Sequence, residues 1–251
     1  MSSGYEGDQL NSRTATGKSN IEYLLAAGLE TWAHQVLYSR RVYPKATFGN
    51  VRFAGIQCHV NRHPDVVQYI QETVSLAAPA IIQGSVDQVS LLITCYENWS
   101  QEGLDETVEE CKKLEECQIR FGNFQKDRIE ISADNGDGEL KQCFRELILR
   151  LGSLESVPSN FQNARGLSFR LELGMSTQSP DSIPSSLLTA LSEGRCLESS
   201  NNWETKGKGV VVRPLCQSNM SFGKINLFHR RILQAQVTHD RQALLGKDNS
   251  S

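Results

Sequence analysis

Cys58, His59 and His63 fall within six residues of one another, and their types could do chemistry. A thiol beside an imidazole is the start of a thiol nucleophile with its base. Two histidines four residues apart invite a zinc ion. The local pattern weakens both readings. Cys58 and His59 are neighbours on an extended run, so their side chains point to opposite faces. Pro64 makes His63 the residue that opens a helix, which breaks any face shared with His59. No glycine elbow, carboxylate pair or metal set accompanies them, so no enzyme is expected and a thiol enzyme is the least supported class. Gly17-Lys18-Ser19 has the ending of a phosphate-binding loop, but its required earlier glycine is Ser12 and no buried strand precedes it. Asp134-Asn-Gly-Asp-Gly138 begins like a calcium loop, yet the twelfth position, which needs a bidentate Glu, is Arg145. A turn opening a helix is the better account. No metal and no cofactor is expected.

The seven cysteines of the 251 residues are irregularly spaced and contain no Cys-x-x-Cys pair. Cys58, Cys95, Cys143 and Cys216 sit in apolar patterns and read as small core residues. Cys111 and Cys117 lie on a charged stretch, too far apart for a zinc knuckle. A reducing compartment is the simplest expectation. The stretch from Met1 to Lys18 has no apolar run, so no secretory signal is expected. No apolar stretch approaches membrane-spanning length. A net charge of -3 and a pI of about 6.0 supply no bulk drive toward DNA, RNA or anionic lipid. Action on nucleic acid would therefore run through another protein.

Residues 1–18 read as a disordered tail. A helix capped by Ser19 or Asn20 runs to about Arg41, with apolar residues from Ile21 to Leu37 covering a broad face, so it must be substantially buried. His34 reads as a flank residue of it. Residues 45–62 are extended, with a turn at Gly49-Asn50 and a strand from Val51 to Val60. The central helix spans about His63 to Gln83. Pro64 sits in its first turn with Asp65 beside it, and Val66, Val67, Ile70, Val74 and Ala77 form one stripe. Pro79 kinks or shortens its last turn, and Gly84 ends it. Val86 to Cys95 is a strand buried on both faces.

Residues 97–118 read as a solvated charged helix inserted into a hairpin. A strand follows from Ile119 to Ile131, then a third amphipathic helix over about 138–155. Leu167 to Leu173 alternates as a strand with one wet face. Met175 to Asn202 reads as a long, partly mobile connection. Trp203, a strand over Val210 to Leu215 and a last strand around Lys224 to Phe228 complete the order, and the end beyond 237 reads as a loose tail.

Three runs carry a resemblance. Leu37-Tyr-Ser-Arg-Arg-Val-Tyr-Pro44, Arg62-His-Pro-Asp-Val-Val-Gln-Tyr-Ile-Gln-Glu-Thr-Val74 and the strand Val86 to Ile93 resemble the HORMA-domain accessory, non-catalytic subunit of the translesion DNA polymerase zeta. Arg213-Pro-Leu215 and Lys224-Ile-Asn-Leu-Phe228 are also similar. The resemblance covers 20–95 best and is weakest over 96–118 and 174–202. It implies an α+β HORMA domain over 19–237, an antiparallel sheet backed by three helices. A mobile C-terminal safety belt, about 175–237, would close over an extended, proline-containing peptide from a partner.

The resemblance also implies roles. Tyr69 would line the peptide pocket and Trp203 would close over the peptide. The apolar residue that the family places two positions after that tryptophan is here Thr205. Val212, Asn226 and Phe228 match positions that contact the C-terminal domain of a second translesion polymerase, the deoxycytidyl transferase. The family has tyrosine where Phe228 stands. Arg145 matches an arginine used in HORMA–HORMA dimerisation. The implied function is a nuclear adaptor that traps a peptide of the polymerase zeta catalytic subunit and bridges it to another polymerase for synthesis past DNA lesions. An AAA+ remodelling ATPase is a further implied partner. The alternative is a HORMA adaptor in spindle-checkpoint or double-strand-break signalling, since one fold serves many partners.

Overall fold

The computed structural model describes residues 20–96, 111–124, 136–157, 166–176, 183–194, 197–198 and 210–232. Both expected tails, and Trp203, lie outside the described residues. Helix α1 (Asn20–Ser39) is apolar nearly all round: Leu25, Leu29, Trp32, Ala33, Val36 and Leu37 are fully buried. A helix of that pattern must be surrounded, and α1 packs against α2 (Pro64–Ile82), α3 (Gly136–Leu151) and the first hairpin. It, rather than the helix expected to be central, is the middle of the layer. Each of its large aliphatic side chains contributes roughly 1.5–3 kcal/mol on burial. His34 is in that core, not on a flank.

Strands β1 (Phe48–Phe53) and β2 (Ile56–Asn61) form a separate antiparallel hairpin. The turn is Ala54-Gly55, whose φ values of 49° and 74° fit the two-residue turns that match strand twist. The expected turn at Gly49-Asn50 is wrong, because both residues lie inside β1. Helix α2 (Pro64–Ile82) starts as expected: Asn61 Oδ1 accepts the His63 amide at 2.8 Å, Pro64 occupies the first turn and Asp65 follows. The helix runs through Pro79 and is closed by Gly84 at φ 77°.

Six strands make the main sheet, in the order β6-β5-β3-β4-β8-β7. They are β3 (Val86–Tyr96), β4 (Cys111–Gly122), β5 (Leu167–Met175), β6 (Leu197–Glu198), β7 (Val210–Met220) and β8 (Gly223–Ile232). All neighbours are antiparallel except β5 and β6, which run parallel, so the expected all-antiparallel sheet needs that one amendment. Helix α3 (Gly136–Leu151) buries Leu140, Cys143, Phe144, Leu147, Ile148 and Leu151. Phe144 lies so close to Gly28 that a Cβ there would collide with its ring, which is how α1 and α3 come together. A fourth helix, α4 (Ser185–Ser192), buries Leu187 and Ala190 within the stretch expected to be connection. Among the described residues no helix is long and apolar enough to cross a membrane.

The charged helix expected over 97–118 is corrected where it can be seen. Residues 97–110 lie outside the described residues, but Cys111 to Gln118 belong to β4. Glu115, Cys117, Ile119 and Phe121 alternate toward the helices, while Glu116 and Gln118 face the other side. Both glutamates are buried. A charge run normally reads as a wet face; here each carboxylate has a cation, and that removes the objection to burial.

Candidate functional site

Tyr69 projects from α2 toward β5. Its hydroxyl accepts the Leu171 amide proton at 2.9 Å, and its ring meets Phe169 edge-on with centroids 5.7 Å apart. Phe169 also meets Tyr43 edge-on at 6.2 Å. The three rings are half-buried and border β5 between Leu167 and Leu171. On the outer edge of β5, among the described residues, β6 is the paired strand, and it covers Glu172 and Leu173. Tyr69 therefore stands at a sheet edge beside an aromatic wall. Tyr43 and Phe169 are the members of that wall that the sequence reading missed. For Tyr43 the signal was present: it follows the first helix inside the run that carried the resemblance.

Val212, Asn226 and Phe228 come together. The β7–β8 register pairs Val212 with Arg230, Pro214 with Phe228 and Gln217 with Asn226, so alternation puts the three residues on one face. Val212 is 50% exposed, and Asn226 and Phe228 are half-buried. The guanidinium of Arg120 lies 5.7 Å from the Phe228 ring centroid. Arg230 donates to Glu116 at 3.2 Å and to Gln118 at 3.4 Å. This surface is a small apolar patch framed by arginines.

Arg145 is not free on an outer face. It is half-buried, and its Nη1 donates to the Ala54 carbonyl at 3.0 Å, tying α3 to the tip of the first hairpin. Trp203 lies outside the described residues.

On the helix side of the sheet a buried charge cluster was missed. Arg40, just beyond α1, donates two 2.7 Å hydrogen bonds to Glu115 on β4. It also donates to the Leu154 and Val157 carbonyls at 2.6 and 2.9 Å. His229 Nε2 on β8 is 3.3 Å from Glu115 Oε2. Burial would raise the Glu115 carboxyl, but hydrogen bonds from His229 and Arg40 outweigh it and hold the group below its ordinary value. The C-terminal hairpin is joined further to α3, where Glu139 accepts the Ser221 amide at 2.7 Å and Ser218 donates to Glu146 at 3.1 Å.

The thiol–imidazole pair does not assemble. Cys58 is buried, and burial pushes its thiol up to about 11. His59 points away and stacks on Tyr38, centroids 3.6 Å apart, while His63 is an exposed residue at the start of α2. A thiol so raised is the opposite of an activated nucleophile. Cys95 and Cys143 are buried as expected; Cys117 is buried too, in β4 rather than on a charged helix. Among the described residues no group of three His, Cys, Asp or Glu could hold a metal ion.

No protein-family model matches the chain. The chain is 25% identical over 146 residues to the chicken mitotic spindle assembly checkpoint protein MAD2B, covering 58% of this chain and 61% of the relative. It is 26% identical over 134 residues to human MAD2B, covering 53% and 56%. It is 36% identical over 69 residues to the DNA polymerase zeta processivity subunit of Schizosaccharomyces pombe, covering 28% and 32%. The match thus spans less than two thirds of the length of these relatives. Among solved structures, the mitotic checkpoint complex contains a chain with TM-score 0.59 and 16% identity, covering 84% of this chain and 98% of that one. C. elegans HTP-1 bound to a HIM-3 closure motif gives TM-score 0.55 at 14% identity, covering 90% and 96%. The fold is the HORMA fold, and the resemblance to a HORMA accessory subunit of polymerase zeta is borne out by these relatives.

Proposed function

We propose that this HORMA-fold chain is a non-catalytic adaptor that holds an extended, proline-containing segment of the polymerase zeta catalytic subunit and bridges it to a second translesion polymerase. The segment pairs with the outer edge of β5 between Leu167 and Leu171. Edge pairing supplies main-chain hydrogen bonds, and aromatic walls suit proline rings. The observation that carries the reading is the Tyr43–Phe169–Tyr69 wall beside that edge. It is supported by neighbours solved with bound motifs, such as HTP-1 with a HIM-3 closure motif. The C-terminal part from about 175, with Trp203, is the belt that closes over the segment. The outer face of Val212, Asn226 and Phe228 receives the C-terminal domain of the deoxycytidyl transferase. Catalysis belongs to the partners, the setting is the nucleus, and an AAA+ ATPase remodels the belt.

The test is titration of a proline-containing peptide of the catalytic subunit into the full chain and into Tyr69→Ala and Trp203→Ala. Each variant should weaken capture by at least roughly tenfold, the loss of one well-packed aromatic anchor. Wild-type affinity in both, with intact circular dichroism, removes the assignment. A second reading, a spindle-checkpoint adaptor, is favoured by the relatives named MAD2B. Competition between peptides from checkpoint and polymerase partners separates the two.

A further inference from the structure

Along a β-strand, successive residues direct their amides to opposite edges, so residues two apart share an edge. Leu171, paired with Leu91 of β3, donates its amide proton to Tyr69 Oη at 2.9 Å. That amide therefore points away from β3. The amides of Phe169 and Leu167, two and four residues back along the same strand, share its direction. The Tyr69 oxygen stands where the carbonyl of a neighbouring strand would stand. One and two residues further on, Glu172 and Leu173 are paired with β6. The side chain thus meets the edge next to the place where, among the described residues, the β6 pairing begins.

From this geometry we infer that the Tyr69 hydroxyl is a stand-in acceptor, displaced when an extended peptide pairs with β5. The inference rests on the reading that the β5 edge captures such a peptide. A peptide carbonyl takes over the Leu171 amide, and the phenol oxygen passes to water while its ring keeps its place against Phe169. One neutral hydrogen bond replaces another, so the amide is never left unsatisfied. Recognition at this position reads a backbone carbonyl rather than a side chain. Tyr69 has two separable parts: a ring that helps hold the peptide and a hydroxyl that competes with it.

Tyr69→Phe isolates the hydroxyl, and amide exchange at Leu171 reads its bond directly in the full chain. In the free protein, Tyr69→Phe should speed Leu171 exchange on the order of fivefold, the loss of one hydrogen bond. With a saturating proline-containing peptide of the polymerase zeta catalytic subunit, wild type and variant should be equally protected. The variant should bind that peptide roughly fivefold more tightly, having no internal acceptor to displace. Equal exchange in the two free proteins overturns the inference. So does faster exchange in the peptide-bound variant than in peptide-bound wild type, which means the hydroxyl stays put. Weaker binding by Tyr69→Phe also overturns it. If wild type takes no peptide at all, the proposed function falls and this inference falls with it; if wild type binds and Leu171 is indifferent, only this inference falls.

Discussion

Arg40 and Glu115, both at most 2% exposed, form a bidentate ion pair with two 2.7 Å bonds between the end of α1 and the middle of β4. The pair is 75 residues apart in sequence and closes the helix layer onto the sheet. His229 joins it from β8, so the C-terminal hairpin shares the same buried carboxylate.

Removing one partner leaves the other charge buried and unpaired. Arg40→Ala or Glu115→Gln should lower the unfolding free energy by about 3–5 kcal/mol. Urea denaturation measures this. Acid should act in the same sense. The Glu115 carboxyl is held below the ordinary Glu value of 4.5, so its contribution is complete above that value and is lost as pH falls through the lower folded value. In Glu115→Gln that part of the acid dependence should disappear.

His34 shifts stability over a higher range. It is fully buried, and burial lowers its value to about 4 from an ordinary 6.5. The unfolded chain binds this proton first, so stability falls as pH drops from 6.5 to about 4. The full loss is roughly 3 kcal/mol. Denaturation midpoints at several pH values should fall across this window in wild type and be flatter there in His34→Gln.

The β7–β8 face should be separable from the β5 edge. Val212→Arg, at a 50% exposed site, should weaken binding of the second polymerase's C-terminal domain by at least roughly tenfold while peptide capture is unchanged. Phe228→Tyr, which restores the hydroxyl found in the resembling family, should strengthen it by roughly the value of one hydrogen bond, about 1 kcal/mol. Calorimetry with each partner separately checks both.

Arg145 bridges α3 to the Ala54 carbonyl at the hairpin tip. Arg145→Ala should reduce self-association and pairing with another HORMA protein. The lost bond should also cost about 1 kcal/mol of stability. Sedimentation across a concentration series decides: identical behaviour of variant and wild type ends the dimerisation role, and a stability change alone leaves Arg145 a brace for the hairpin.

The roles of Tyr69, Val212, Asn226 and Phe228 are what the resemblance implies; the elements that carry these residues could be read because their signals are local. Pro64 and Asp65 mark the start of the helix that carries Tyr69, and those residues do open α2. Asn226 and Phe228 share a face by their spacing alone, while Val212 joins them only through the β7–β8 register, which the structure supplies. Tyr43 was missed because its importance depends on Phe169, 126 residues on, a distance no periodicity spans. The turn at Ala54-Gly55 was missed because Gly49-Asn50 is the more usual turn composition, while strand pairing of Phe53 with Ile56 moved the corner.

What the residues decide alone are the element types: α2 and α3 from their apolar stripes, α1 from its broad apolar surface, and β5 from its alternation, although Glu172 on its expected wet face is buried. The tertiary structure decided which charges go inside. Glu115 and Glu116 carry the same side chain and sit in the same charged run, which by itself describes a wet helix. They are strand residues in the core because Arg40 waits on one face and Arg230 on the other. A buried carboxylate is tolerable only beside its cation, and which cation comes near is settled by how distant elements pack, not by neighbours in the chain.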